Sequence, residues 1–403
     1  MRFVTPAAWC AALFLATTLF SHTVALRLLL LFAGFSLAAL ALADARLRTH
    51  DSRIEFAPPL LLPFVLWGAW AALSLSWSLE PELSVKEFRN EVGYSLLSLC
   101  ICYVGAQAAN AARIFLPVVA LAAAAVCAVA LRYAWFGPPA SPAWLHGGPG
   151  TYSAALLILF PCTLAVAWLA AARRWPAWLI ALPAALIVLY VLSGYGTQNR
   201  TLWIGLALQI GLSAAFVLTR AARGRRATAA ILAAAALAVA GAMALGAKVQ
   251  SERFGANAAM LRDDPRPQLW KSVLPRIEER PLIGSGFGRG MARHELRDEQ
   301  GNPLLWHSHN LFLDTALQLG AVGLALFALL IGWTLWLAWK LARTRDEVAS
   351  ICGFTLIAVV AGMLIRNMTD VLLVRQSALL YWGVVGVLLA WGTRAAAHAE
   401  TAP

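Results

Sequence analysis

Charge is scarce in this sequence. Only 13% of its 403 residues are charged, against 61% that are hydrophobic, and the mean hydropathy is +0.70. That excludes an ordinary soluble domain and places the chain among polytopic membrane proteins. Acids are scarcer than bases, 20 against 32, for a net charge of +12. The excess does not point to nucleic acid, because most Lys and Arg sit in short clusters between apolar runs, as topology determinants do. Cysteine is also sparse. Cys10, Cys100, Cys102, Cys127, Cys162 and Cys352 all fall inside apolar runs, so neither a disulfide framework nor a cysteine metal site is indicated. The chain has no internal repeat, no low-complexity tract and no second soluble domain. Its Ala-rich 228–247 reads as a span of small residues suited to close packing.

What is abundant is apolar runs of membrane-crossing length. The pattern predicts an all-α protein of about 12 transmembrane helices, near 5–21, 24–44, 57–77, 92–110, 113–134, 151–171, 176–193, 201–219, 228–246, 319–340, 348–366 and 372–392. The chain divides into helices one to nine (1–246), a large polar loop (247–318), and helices ten to twelve with a tail (319–403). With the N-terminus inside, the clusters at Arg46, Arg48 and Arg53, at Arg113, at Arg173 and Arg174, at Arg220, Arg223, Arg225 and Arg226, and at Lys340, Arg343 and Arg345 all face the cytoplasm. Both termini are then cytoplasmic, and the 247–318 loop lies outside despite its arginines, since long loops translocate largely regardless of charge. Arg2, the run from Ala7 to Phe20 and Thr23-Val24-Ala25 also fit a cleaved signal peptide. Because a second apolar run comes at once, an uncleaved first span is the preferred reading.

Four polar features converge on the outer face. The first is Trp306-His307-Ser308-His309-Asn310, then nine residues, then Gly320-Ala321-Val322-Gly323. An imidazole at the mouth of a membrane helix is able to take a proton from a hydroxyl near neutral pH; the plainer alternative is a helix-capping or interfacial histidine. Two glycines on one helix face would let another element approach closely and fix the ring. The second is Thr197-Gln198-Asn199-Arg200 before the eighth span. A cation at a helix N-terminus gains nothing from the dipole, so Arg200 is explained by an anion bound there or, more plainly, by snorkelling.

The third feature is Asp264-Pro265-Arg266-Pro267-Gln268-Leu269-Trp270, followed by Pro281-Leu282-Ile283-Gly284-Ser285-Gly286-Phe287-Gly288. Helical periodicity over 267–280 puts Leu269, Val273 and Ile277 on one face, against the membrane domain. The glycines lack Gly-Lys-Ser/Thr and follow no strand, so they are a turn and not a nucleotide loop. The fourth is Arg366-Asn367-Met368-Thr369-Asp370 at the outer end of the eleventh span. Charges at that depth default to function: Asp370 would orient His309 or hold an acceptor hydroxyl, and Arg366 would pair with Asp370. Trp270 and Trp306 are candidates for stacking on sugar rings, or members of the interfacial aromatic belt. His307 and His309 are two ligands without a third of convincing spacing, so no metal is expected.

Taken together, these motifs resemble the O-antigen ligase and polymerase superfamily of bacterial inner-membrane glycosyltransferases. The family's arginine segment usually reads Ser/Thr-x-x-Arg, matched by Thr197 to Arg200, and its Arg-x-x-x-Trp helix and Pro-x-x-Gly-x-Gly turn are matched at 266–270 and 281–286. The resemblance implies a fold like that of lipid-dependent membrane glycosyltransferases, a periplasmic site, and no cofactor or metal. It also implies an undecaprenyl-pyrophosphate-linked polysaccharide donor and a lipid A–core acceptor within the bilayer. The implied catalytic residues are His309 as base, Arg200 and Arg266 on the diphosphate, and Asp370. Arg289, Arg366, His307, Asn310, Trp270 and Trp306 are expected to touch substrate.

Three activities compete within that superfamily: O-antigen ligase, O-antigen polymerase and protein O-oligosaccharyltransferase. The third usually carries further sequence after its last spans, and this sequence stops at Pro403. Polymerases often show paired Arg-x10-Gly motifs; Arg200 to Gly211 fits once, inside a span, and neither Arg266 nor Arg289 has a glycine eleven residues on. The ligase is therefore favoured. The rival of another class is a lipid-linked sugar flippase or transporter, whose site should lie near the bilayer midplane in matching halves.

Overall fold

The computed structural model describes residues 3–47, 57–136, 143–197, 199–220, 264–301 and 305–401, with isolated positions between 233 and 241. Among them every regular element is helical, as expected where no water is present to satisfy backbone groups. The amino-terminal half contains α1 (Val4–Thr18), α2 (Val24–Leu47), α3 (Leu61–Leu73), α4 (Pro81–Glu87), α5 (Tyr94–Gly105) and α6 (Ala111–Phe136). After the short α7 (Ala143–His146) come α8 (Pro149–Ala172), α9 (Ala177–Tyr195) and α10 (Arg200–Arg220). The polar loop holds α11 (Arg266–Glu279) and α12 (Arg293–Gln300), and the chain closes with α13 (Leu311–Ala342), α14 (Glu347–Asn367) and α15 (Arg375–Thr401).

Eight of these, α2, α6, α8, α9, α10, α13, α14 and α15, are long and apolar enough to cross a membrane, while Val4–Thr18 and Leu61–Trp77 are shorter apolar helices. The span expected at 92–110 takes another form: a π-helical turn, Phe88–Gly93, running into the twelve-residue α5. The span expected at 228–246 lies almost wholly outside the described residues, as do Arg48, Arg53, Arg223, Arg225, Arg226, Arg253 and Arg262.

The helix α15 is the centre of the bundle, with 78% of its apolar window buried against 28% for the peripheral α2. Small residues explain how it packs so closely against α5. A Cβ on Gly386 would stand 2.6 Å from the Leu99 carbonyl oxygen, and Ser98 Oγ donates to Leu379 O at 2.7 Å.

A second tie joins α8, α10 and α14. Pro161 sits inside α8 and has no N–H, so the Leu157 carbonyl one turn back loses its helical partner. The buried Gln209 supplies the missing donor, Nε2 to Leu157 O at 2.7 Å, and the same nitrogen reaches Ala358 O at 3.0 Å. Room for the amide comes from Gly362, where a Cβ would collide with Gln209 Nε2 at 2.1 Å.

The polar loop is anchored as its periodicity predicts. Leu269 and Val273 of α11 are fully buried with Leu296, Leu305 and Leu317, and Ile277 packs against them.

Gln209→Leu is expected to destabilise the detergent-solubilised protein by about 1 kcal/mol, the scale of a hydrogen bond between membrane helices. Adding Pro161→Ala restores a backbone donor to Leu157 O, so the cost of Gln209→Leu should shrink in that background. A thermal-unfolding cycle of the two single variants and the double variant checks this.

Candidate active site

The local chemistry starts from a helix that does not run straight. Within α13, Gly320 has φ 65° and ψ −167°, which breaks the helix after Leu319. The expectation that Gly320 and Gly323 share one helix face is therefore corrected: Gly320 is the break itself. The 281–286 turn fills the gap. Ser285 N and Gly286 N donate to the Leu317 and Gln318 carbonyls at 2.9 Å each, while Ala321 N and Val322 N donate to the Pro281 and Leu282 carbonyls at 2.8 and 3.3 Å. Trp70 Nε1 donates to the Leu319 carbonyl at 3.0 Å. Only glycine permits this approach, since a Cβ on Gly320 would lie 2.2 Å from the Leu282 carbonyl carbon and one on Gly284 2.4 Å from the Gln318 carbonyl.

The half-helix so fixed, 311–319, begins at Asn310. The Asn310 Oδ1 caps it, accepting from Phe312 N at 2.9 Å and Leu313 N at 3.2 Å, and its Nδ2 donates to Met368 O at 3.1 Å. The motif marks Asn310 for substrate contact; its amide is instead committed to the fold. The cap is Asn310 and not His309, which removes the capping reading of the histidine. His309 itself has φ 49°, an uncommon conformation for a side-chain-bearing residue. Trp270 Nε1 secures the same segment through Ser308 O at 2.9 Å.

The turn after α14 gathers the rest, one residue at a time. Met368 meets the α13 start through Asn310, and Thr369 Oγ1 lies 3.3 Å from Thr201 Oγ1 at the start of α10. Asp370 faces the start of α8, where a Cβ on Gly150 would stand 3.3 Å from Asp370 Oδ2. Three helix N-termini, each an electropositive end, thus meet the turn that carries Asp370. The Asp370 Oδ1 lies 3.4 Å from His309 Nδ1, and Oδ2 lies 3.2 Å from Arg366 Nη2. Arg366 is buried and its Nε donates to Ser153 Oγ at 3.0 Å. Burial alone would raise the Asp370 carboxyl, but the bond to His309 and the charge of Arg366 outweigh it and hold it well below the usual carboxylate range.

Residues 185–328 match the family model described as O-antigen ligase. That match places this part of the chain beside the O-antigen ligase family. The chain is also 28% identical over 290 residues to a Pseudomonas aeruginosa protein named O-antigen ligase, an alignment covering 70% of this chain and 65% of that protein. The family match takes in Arg200, Arg266, His309 and the break at Gly320; Arg366 and Asp370 lie beyond it and reach the matched region only through folding.

The expected residues do not all meet. Arg266 opens α11 and pairs with Asp264 Oδ2 at 3.0 Å, both partly exposed, yet its charge reaches Arg366. Arg200 is exposed at the first residue of α10, and among the described residues no hydrogen bond or ion pair is assigned to it. His307 stacks on His309 with ring centroids 3.9 Å apart, and its Nδ1 accepts from His309 N at 3.0 Å. Burial, then the nearby His309 and Arg289, push the His307 imidazole down to about 2, so it is neutral. His307, His309 and Asp370 place ligand-type atoms within 4.8 Å of one another, a third group that sequence spacing does not reveal. A cation there would have to displace Arg366 from Asp370 and the His309 N–H from His307.

Gly150, Ser153 and Thr201 escape a reading of the sequence, because each acts through a neighbour on another helix. Arg293 escapes it because the loop looks uniformly solvated.

Gly320→Ala is expected to unfold the clasp between the 281–286 turn and α13, lowering stability by roughly 2 kcal/mol or more, because strain at positive φ adds to a backbone clash. Gly332→Ala in the same helix, where a Cβ meets nothing within 4 Å, should be neutral or stabilising by up to about 1 kcal/mol. Thermal midpoints in detergent, with limited proteolysis of the 264–301 region, separate the two.

Proposed function

We propose that this protein is an inverting glycosyltransferase that moves O-antigen polysaccharide from undecaprenyl pyrophosphate to a sugar hydroxyl of lipid A–core, at a site facing the periplasm. The observation that carries the reading is the His309–Asp370–Arg366 chain at the junction of three helix starts. With Asp370 at Nδ1, the imidazole is held as the tautomer whose lone pair is on Nε2. That nitrogen takes the proton from the acceptor hydroxyl as the oxygen attacks the anomeric carbon, and the bond to the lipid diphosphate breaks on the opposite face. Asp370 stabilises the imidazolium that forms.

The departing diphosphate needs positive charge more than a proton. Arg266, whose charge reaches Arg366, and Arg200, exposed at the α10 start, are the arginines assigned to it. Their modest engagement with protein partners leaves guanidinium donors for phosphate oxygens. The helix N-termini add to the same field. Metal independence is part of the proposal, since arginines and one base supply the charge and the proton acceptor.

The match of 185–328 to the O-antigen ligase family model and the likeness to a protein named O-antigen ligase support the ligase over the polymerase and over protein glycosylation. The polar groups gather at one end of the bundle, which suits a surface glycosyltransferase better than a transporter with a midplane site.

His309→Ala should lower kcat by about 100- to 10,000-fold, the usual range for a lost general base, with the protein still present in the membrane. Asp370→Asn should lower kcat and shift the pH profile, because it perturbs the tautomer and removes the imidazolium's counter-charge. Transfer by purified protein in detergent, from lipid-linked polysaccharide to lipid A–core, gives the readout. Near-normal turnover by His309→Ala would reject the assigned base, and steady donor turnover without any gradient would exclude transport as the primary activity.

A further inference from the structure

Trp306 carries two guanidinium groups. The Arg289 Cζ lies 4.7 Å and the Arg293 Cζ 4.4 Å from its ring centroid. The ring edge meets His307, which stacks on His309, so the shelf is continuous with the base. Two like charges held beside one ring repel unless something negative completes them. Arg289 has local compensation: its backbone N–H donates to Glu87 Oε2 at 2.5 Å and its Nη1 to Val371 O at 3.1 Å. The Arg293 backbone N–H donates to Gly290 O at 3.1 Å, but among the described residues its guanidinium has neither a salt bridge nor a hydrogen bond assigned to it. The Nε atoms of both arginines are buried without a hydrogen-bond partner. A buried N–H left unpaired is costly, of order 1–3 kcal/mol, and a pair of them at one site is best explained by an acceptor that arrives with the ligand.

Both arginines also act on the field around His307. The shelf is built from other residues than the diphosphate positions assigned to Arg200 and Arg266, and it joins His309 through the His307 ring, whereas Arg366 joins His309 through Asp370.

We propose that Arg289 and Arg293 on Trp306 form a second oxyanion subsite, which reads a phosphate or carboxylate borne on a sugar of the substrate. Arg293 is its specificity-determining residue. The inference rests on the glycosyltransferase reading only for the identity of the substrate. A guanidinium supplies paired N–H donors in a plane that matches an oxyanion, while the indole offers an apolar face to the sugar ring. Arg289 is held in place by Glu87 and the 368–371 turn, and Arg293 completes the pair from the first turn of α12.

The test uses full-length purified protein in detergent and labelled lipid A–core, as isolated with its phosphates and after phosphatase treatment. Direct binding and transfer are measured for each. If the anion is on the acceptor, phosphatase treatment should weaken binding to the native protein about tenfold, the worth of one charge-assisted contact. Arg293→Gln should then raise Kd and KM for the phosphorylated acceptor by a similar factor while barely changing those for the treated one, and Arg293→Lys should recover part of the loss. If the anion is on the donor glycan, phosphatase treatment has no effect and the tenfold change appears in the KM for donor. Values within twofold of native for both substrates in Arg293→Gln would overturn the subsite. Arg293-dependent binding without any transfer by the native protein would overturn the proposed reaction and leave the subsite standing.

Discussion

The constraint on which this site depends is that a backbone inside a membrane cannot leave its polar groups unpaired. Breaking α13 at Gly320 exposes carbonyls at 317–319 and N–H groups at 321 and 322, each costing several kcal/mol if left bare in hydrocarbon. The 281–286 turn and Trp70 satisfy them. The break and the turn therefore require one another, and a loop otherwise free to drift is bolted to the membrane domain. The consequence is positional: the half-helix 311–319 takes its own direction, and its capped start delivers His309 to Asp370. The buried Gln318 transmits the same rigidity sideways, since its Oε1 accepts from Gly288 N at 2.8 Å and its Nε2 donates to Asp314 Oδ2 at 2.6 Å. Asp314 in turn accepts from Ser308 Oγ at 3.0 Å, one residue from His309.

The turn after α14 plays the complementary part. Asn367 Oδ1 accepts from Leu372 N and Leu373 N at 2.7 and 3.3 Å, folding the chain back on itself. With the backbone thus reversed, Met368, Thr369 and Asp370 each face a different helix start, and the Val371 carbonyl receives Arg289. A single four-residue segment joins the loop, the α8 and α10 starts and the broken helix. No one helix positions both His309 and Asp370, which is why the geometry needs the clasp at Gly320 to be complete.

Much of this is legible in the sequence. Apolar runs announce a polytopic helical protein, and Arg366 and Asp370, which the sequence offers as a pair, do meet in the fold. The His-Asn spacing ahead of two glycines singles out His309, which lies against that pair. What cannot be read is what depends on contacts distant along the chain. Asn310 looks like a substrate ligand because asparagine in a motif looks functional, and only the folded chain shows its amide divided between a cap and Met368. Gly150 carries no chemistry and matters because it has no side chain beside Asp370. Glycine spacing at 320 and 323 suggests a smooth packing face, whereas the positive φ at Gly320 makes it a break. The α5 region has the hydropathy of a span, but its π-helical lead-in shortens the regular helix to twelve residues. Hydropathy measures transfer to lipid and is blind to such local winding.

The charges of the site are drawn from segments distant in the chain. Arg289 and Arg293 act on His307, and Arg266 acts on Arg366. Against them stand Asp370, shared between His309 and Arg366, Asp264, paired with Arg266, and Glu87, which accepts from the Arg289 backbone N–H, while Glu91 and Asp314 also feel the Arg289 charge. His307, more deeply buried than His309, stays neutral among them. A neutral ring stacked on His309 adds no charge of its own, so the field at this point is set by the arginines and carboxylates gathered from the loop and the turn after α14.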